Sequence, residues 1–291
     1  MRHYRSHTAG QNVYITGGVA TLEKPSSQGD ITRVFHGGHA VEQVTSAEAE
    51  VLTAGGFDVI DTDALGAQAV LLLEPSSVDP GWSGATWANS GTGGSALNAA
   101  FLSNEQVTFT GSGFRIPVQS GGNSAVADDD GFGVVDDGTL EASMAGDWTF
   151  TMNFTPLFNN PETCRYFRKY TGINILVSGG GMIVESTRPV GGFIAAVVSN
   201  VTNGIADQGA AFIGGVRTDR HQVTLRMSDG VFSVFRGSSK ILDRPVVGSP
   251  ADGGDLIVGP GQIAHSCAWW TSALSDAEVL AVHAVSGSDG W

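Results

Sequence analysis

The chain has 291 residues, 41% hydrophobic and only 15% charged, against about 25% charged in an average globular protein. Its 41 glycines are about twice the usual share, and its 10 prolines follow no G-X-Y period, so collagen is excluded; the apolar content excludes a disordered chain. With 29 acidic residues against 15 basic, the formal charge is −14, which argues against phosphate backbones and predicts no nucleic-acid partner.

The first residues, Met-Arg-His-Tyr-Arg-Ser-His, start basic but lack an apolar run behind them, so no signal peptide is expected. Arg2, Tyr4 and Arg5 join positive charge to an aromatic ring on an acidic protein. That combination is enriched at interfaces and fits a short arm docking into a partner subunit; a frayed terminus is the alternative. Residues 13–15, 19–22 and 31–35 read as short strands separated by Gly17-Gly18 and by the Pro25–Gly29 turn. His36 and His39, two glycines apart, read as flanking a hairpin turn rather than as a metal pair, because no third ligand is in view. Thr45-Ser46-Ala47-Glu48 is a capping box, and Gly55-Gly56 stops the helix it opens. Residues 57–60 return as a strand, and the small polar stretch 61–68 reads as a boundary. The first 66 residues therefore form a small α+β unit.

From residue 69 the pattern changes to serial short strands. Trp82 and Trp87 fall in a Gly/Ser-rich loop, where they read as platforms for sugar rings or as cover for a sheet edge. Asp128 and Asp130 have the alternate spacing of a calcium loop, the alternative being a solvated acidic loop; calcium is the one cofactor in prospect. Residues 147–155 alternate strictly, placing Trp148, Phe150, Met152 and Phe154 on a core face and Thr149, Thr151 and Asn153 on the other. The cluster Arg165, Arg168 and Lys169 reads as a solvated hairpin rim. Residues 221–227 alternate with Val223, Leu225 and Met227 inward, and Asp229-Gly230 is a hairpin turn. Short strands follow at 255–258 and 263–270, the latter carrying Cys267, Trp269 and Trp270. With Cys164, Cys267 reads as one of two buried thiols. Ser275-Asp276-Ala277-Glu278 is a second capping box, opening a helix with Val279, Leu280 and Val282 at helical spacing.

Four fragments in this order resemble a concanavalin A-like, laminin-G-like jelly-roll domain: 147–156 "DWTFTMNFTP", 220–236 "RHQVTLRMSDGVFSVFR", 255–259 "DLIVG" and 263–282 "IAHSCAWWTSALSDAEVLAV". The resemblance implies a mainly β protein: a small N-terminal α+β unit (1–66), an antiparallel jelly-roll sandwich (69–285) and a C-terminal tail (286–291). Glycosidases on this fold need paired carboxylates around the scissile bond; Glu74, Glu105, Glu141, Glu162 and Glu185 stand isolated, and no nucleophile motif is present, so no catalysis is expected. The layout is similar to minor tail proteins of tailed bacteriophages. It implies a structural virion component, made in the host cytoplasm, homo-oligomeric in the particle, contacting other virion proteins and a host-surface glycan. A capsid decoration protein and a non-viral carbohydrate-binding lectin module are the alternatives. No membrane insertion is expected, since no apolar run approaches the length of a spanning helix.

Overall fold

A computed structural model describes residues 3–6, 12–36, 41–78, 86–102, 107–117, 131–157, 164–169, 181–186, 193–202, 205–215, 219–246 and 254–286. By contacts the chain divides into two compact units, one of residues 1–67 with 275–290, the other of residues 68–274.

The first unit holds β1 (His3–Ser6), β2 (Val13–Thr16), β3 (Val19–Thr21), β4 (Ile31–Phe35), β5 (Val41–Val44), α1 (Ser46–Ala54), β6 (Val59–Asp61) and α2 (Thr62–Gln68). It makes two three-stranded antiparallel sheets, β5-β1-β6 and β3-β2-β4. The first capping box forms: Glu48 N–H donates to Thr45 Oγ1 at 3.2 Å, and Thr45 N–H donates to the Glu48 carboxylate at 2.7 Å. Val13, Ile15, Phe35, Val44, Ala49 and Leu52 make a core of their own. Two expectations change here. Tyr4 and Arg5 belong to no free arm, because β1 is the middle strand of its sheet: Tyr4 is opposite both Gln43 and Ile60, and Arg5 opposite both Glu42 and Val59. Arg2 lies outside the described residues. The stretch 61–68, expected to be an irregular polar boundary, is mostly helix, with Asp61 Oδ1 accepting the backbone N–H groups of Asp63 and Ala64 at its start; the division between the two units falls at its end, between 67 and 68.

The second unit runs through β7 (Leu71–Leu73), β8 (Thr86–Trp87), β9 (Ala99–Phe101), β10 (Thr108–Phe109), β11 (Phe114–Ile116), β12 (Phe132–Val134), α3 (Thr139–Met144) and β13 (Trp148–Pro156). It continues with β14 (Arg165–Lys169), β15 (Gly181–Ser186), β16 (Phe193–Thr202), β17 (Ile205–Gly215), β18 (His221–Ser228), β19 (Val231–Arg236), β20 (Ser239–Pro245), β21 (Leu256–Val258) and β22 (Gln262–Trp270). Two antiparallel sheets result, ordered β10-β11-β22-β13-β18-β19-β20 and β17-β16-β15-β14-β21-β12-β9-β8. In the first, β7 pairs with β22 beyond the end of β11. The protein is mainly β, an antiparallel sandwich preceded by a small α+β segment, as the sequence implies.

The core between the sheets follows the alternation of β13. Trp148, Phe150 and Met152 are paired with Met227, Leu225 and Val223 of β18, and all six are buried. Trp148 stacks on Trp269 at 5.2 Å, and Phe150 meets Trp269 at 5.1 Å and Phe167 at 5.9 Å. The hairpin turn sets Asp229 at φ 49° and Gly230 at φ 73°, the two positive values of a primed turn that matches strand twist. Gly131 at φ 112° lets β12 close on β21, since a Cβ there would run into the Val258 carbonyl oxygen.

The second capping box forms at α4 (Asp276–Ser286), where Glu278 N–H donates to Ser275 Oγ at 3.2 Å and Ser275 N–H to the Glu278 carboxylate at 2.7 Å. The expected sandwich ended at residue 285. Instead α4 groups with the first unit and packs on β5 and β6, with Val279, Val282 and Val285 buried. Cys164 and Cys267 are both buried, and no disulfide joins them.

Candidate functional site

The non-core face of the β13 sheet carries a largely buried polar network. Strand alternation aligns its side chains in rows. One row holds Trp270, Thr149, Arg226, Ser233 and Asp243; the next holds Ala268, Thr151, Thr224, Phe235 and Lys240. Thr149, Thr151, Asn153, Thr224, Arg226 and Ser233 are all buried, so the face opposite the core is not a solvent face.

Burial obliges these groups to bond with one another. Thr224 Oγ1 donates to Thr151 Oγ1 at 2.9 Å. Arg226 donates to the Leu274 carbonyl at 2.7 Å and to Ser233 Oγ at 3.3 Å, and Ser233 Oγ donates to Asp243 at 2.6 Å. Thr149 Oγ1 donates to the Ser272 carbonyl and accepts from Leu274 N–H, so the segment after β22 closes this end.

Toward the opposite end the described residues are more exposed. There Arg115 of β11 faces Ile263 of β22, and Ile263 faces Thr155 of β13. Arg220, one position before β18, donates through Nε to Asn153 Oδ1 at 2.6 Å. Arg115 and Ser112 are exposed; Thr155, Arg220, Gln222 and Ile263 are half-buried. A β-bulge between Asn153 and Phe154 inserts His265 as an extra residue of β22 and turns its ring onto this face. His265 Nδ1 lies 2.7 Å from the Ser112 carbonyl oxygen and Nε2 lies 2.9 Å from Thr155 Oγ1.

A carbonyl only accepts, so Nδ1 carries the ring proton and donates it to Ser112. The neutral Nε2 then accepts from the Thr155 hydroxyl. Burial of the ring pushes the His265 pKa below its ordinary value; the Ser112 bond pulls it up, and the charge of Arg220 pushes it further down. A hydroxyl on an imidazole has the outline of a nucleophile and its base. Here the far ring nitrogen faces a neutral carbonyl rather than a carboxylate, and Arg220 repels an imidazolium, so the ring is a poor proton acceptor. The arrangement holds the Thr155 hydroxyl in place.

The residues singled out in the sequence lie elsewhere. Trp87 is no exposed platform: it is 1% exposed, packs on Phe114 at 4.8 Å and Phe132 at 5.7 Å, and donates its indole N–H to the Glu74 carbonyl at 3.0 Å. Trp82, Asp128, Asp130 and His39 fall outside the described residues, so the sugar-platform and calcium expectations there have no geometry. Among the described residues, no group of three His, Cys, Asp or Glu is placed to hold a metal.

Lys169 departs furthest from expectation. Far from forming a solvated rim, its side chain is 0% exposed, ion-paired with Asp136 at 2.7 Å and bonded to the Gly254 carbonyl at 2.6 Å. A bulge in β14 turns Tyr166 and Phe167 both inward, and Lys169 follows them to the core side. The first unit holds a groove of about 670 Å³ lined by Ser46, Ala49, Glu50, Thr53, Ala54, Val59 and Asp61.

No family model matches the chain, and no curated protein sequence does either. Solved structures do resemble it. The binding domain of botulinum neurotoxin serotype D superposes over 77% of the chain and 52% of its own length, at TM-score 0.56 and 12% identity. The sialidase of Trypanosoma rangeli matches over 77% of the chain and 33% of its own length, at TM-score 0.53 and 12% identity. The binding domain of botulinum neurotoxin DC, in complex with rat synaptotagmin II, matches at TM-score 0.54 and 11% identity over 79% and 53%. The chain thus spans between a third and about half the length of these matches. The likeness is one of fold.

Proposed function

We propose that this chain is a lectin-like, non-catalytic binding module whose sandwich engages a saccharide at the more exposed end of the polar face. One observation carries the reading. The Thr155 hydroxyl, Asn153 amide, His265 imidazole and Arg220 guanidinium are held there by bonds among themselves, the first three on strands and the last directly before one. A sugar presents paired donors and acceptors, and a prearranged set of this kind meets them with little ordering cost. The neutral, poorly basic His265 favours binding over proton transfer. The solved structures of like fold lend support, since they include a sialidase in complex with sialic acid and a toxin's binding domain.

Display of such a module on a virion rests only on the order of the units and the composition, and remains the alternative setting for the same binding role. A glycan array probed with the full-length chain tests the proposal. Binding to a related subset of glycans, weakened by Thr155→Val, supports it; a blank array overturns it.

A further inference from the structure

From the hydrogen-bond roles around His265 we infer that Thr155 meets the saccharide only as an acceptor, so that the group it selects is a sugar hydroxyl acting as donor; this rests on the binding role proposed above. A threonine hydroxyl has one proton to give and two lone pairs that receive. Left alone it turns about its C–O bond and serves either kind of ligand atom. Thr155 has lost that freedom. Its Oγ1 lies 2.9 Å from His265 Nε2, and its side chain makes no other hydrogen bond among the described residues.

The direction of that bond is decided on the far side of the ring. The Ser112 carbonyl oxygen, 2.7 Å from Nδ1, only accepts, so it claims the one N–H of the neutral imidazole. Nε2 is left with a lone pair, and the Thr155 proton goes to it. A cationic ring would reverse this bond and release the threonine proton, but His265 is 7% exposed and burial disfavours the charged form. What Thr155 has left for a ligand is lone pairs alone. They repel an ether or carboxylate oxygen and attract a hydroxyl proton. Thr155 is half-buried, so a ligand atom reaches it, and Ile263 directly opposite is apolar and half-buried too. That neighbour suits the C–H groups that lie beside each hydroxyl of a sugar ring. The bulge that turns His265 onto this face therefore sets the polarity of a residue on the next strand.

The test uses the full-length chain at about pH 8, above the ordinary histidine range, and has two arms. In long-range proton–nitrogen NMR of the free protein, His265 is expected to carry its proton on Nδ1 with Nε2 bare; a proton on Nε2 overturns the inference before any ligand is added. In the second arm, ligand-observed NMR titrations compare methyl galactoside, methyl glucoside and methyl mannoside with their monodeoxy and monodeoxyfluoro forms. Fluorine accepts weakly and never donates. At one ring position both replacements are expected to weaken binding about three- to tenfold, the worth of one neutral hydrogen bond, with the fluoro form no tighter than the deoxy form. Thr155→Val is expected to bring that loss below about twofold and Thr155→Ser to restore it. A fluoro form that keeps the affinity its deoxy counterpart loses, or a set of positions none of which depends on Thr155, overturns the acceptor role and leaves the binding role standing. Binding of none of the three glycosides does the same when the glycan array is positive; with a blank array both readings fall.

Discussion

Replacing Lys169 with Met separates a structural ion pair from a surface charge. Lys169 and Asp136 are 0% and 1% exposed, with 2.7 Å between Nζ and Oδ2. Asp136 also accepts the N–H groups of Gly138 and Leu140 on Oδ1 and of Glu141 on Oδ2, which anchors the start of α3. Breaking a buried pair from one side costs about 3–5 kcal/mol, because the remaining charge loses its partner inside the protein. Lys169→Met belongs at the lower end, about 3 kcal/mol, since three amides still serve the carboxylate. Asp136→Asn belongs higher, since the ammonium then faces the Gly254 carbonyl without its counter-ion. The double variant is expected to cost less than the sum by about 1–3 kcal/mol, the coupling typical of groups in contact. The described tryptophans, Trp87, Trp148, Trp269 and Trp270, all lie in the second unit, so urea unfolding followed by tryptophan fluorescence reports chiefly the sandwich. A loss below about 1 kcal/mol for Lys169→Met, with additive double-variant behaviour, would refute a buried pair.

Phe150→Ala removes a ring that touches Trp269 and Phe167 and is expected to cost about 3–5 kcal/mol by the same assay; under 1 kcal/mol would mean the core is elsewhere. Deleting residues 1–10 removes the middle strand of the β5-β1-β6 sheet. Hydrogen exchange should show protection lost across residues 41–44 and 59–61 while the tryptophan-monitored transition persists; retained protection would contradict the pairing. His265 has a folded-state pKa below its ordinary 6.5, so the unfolded state takes up the proton first as pH falls. Its contribution is complete above about pH 6.5 and declines as pH drops below that value. His265→Gln should flatten this part of the stability profile, and an unchanged slope would contradict the assignment.

The elements legible in sequence are those fixed by short-range chemistry. Apolar residues at every second position of β13 mark its core face, Asp229-Gly230 meets the positive φ values of its turn, and both capping boxes close as spaced. What sequence left hidden depends on distant chain. His3–Ser6 has no apolar alternation and becomes a strand because β5 and β6 flank it. Thr149, Thr151 and Asn153 lie opposite the core as expected, but periodicity assigns a side without saying whether that side is covered. The choice between platform and edge cover for Trp87, and the burial of Lys169, are settled by partners far along the chain, which the composition of the surrounding stretch does not report. His265 reaches the candidate site through a β-bulge, which shifts its register without a local signal. Arg220 stands before a strand, and its orientation is set by Asn153, 67 positions away.

The most direct test of the binding face is amide and side-chain NMR of the full-length chain titrated with the best ligand from the glycan array. Saturable shifts confined to Ser112, Arg115, Asn153, Thr155, Arg220, Gln222 and His265 are the predicted result. Saturable shifts that leave these residues unmoved and cluster instead along the α1–β6 groove would contradict it.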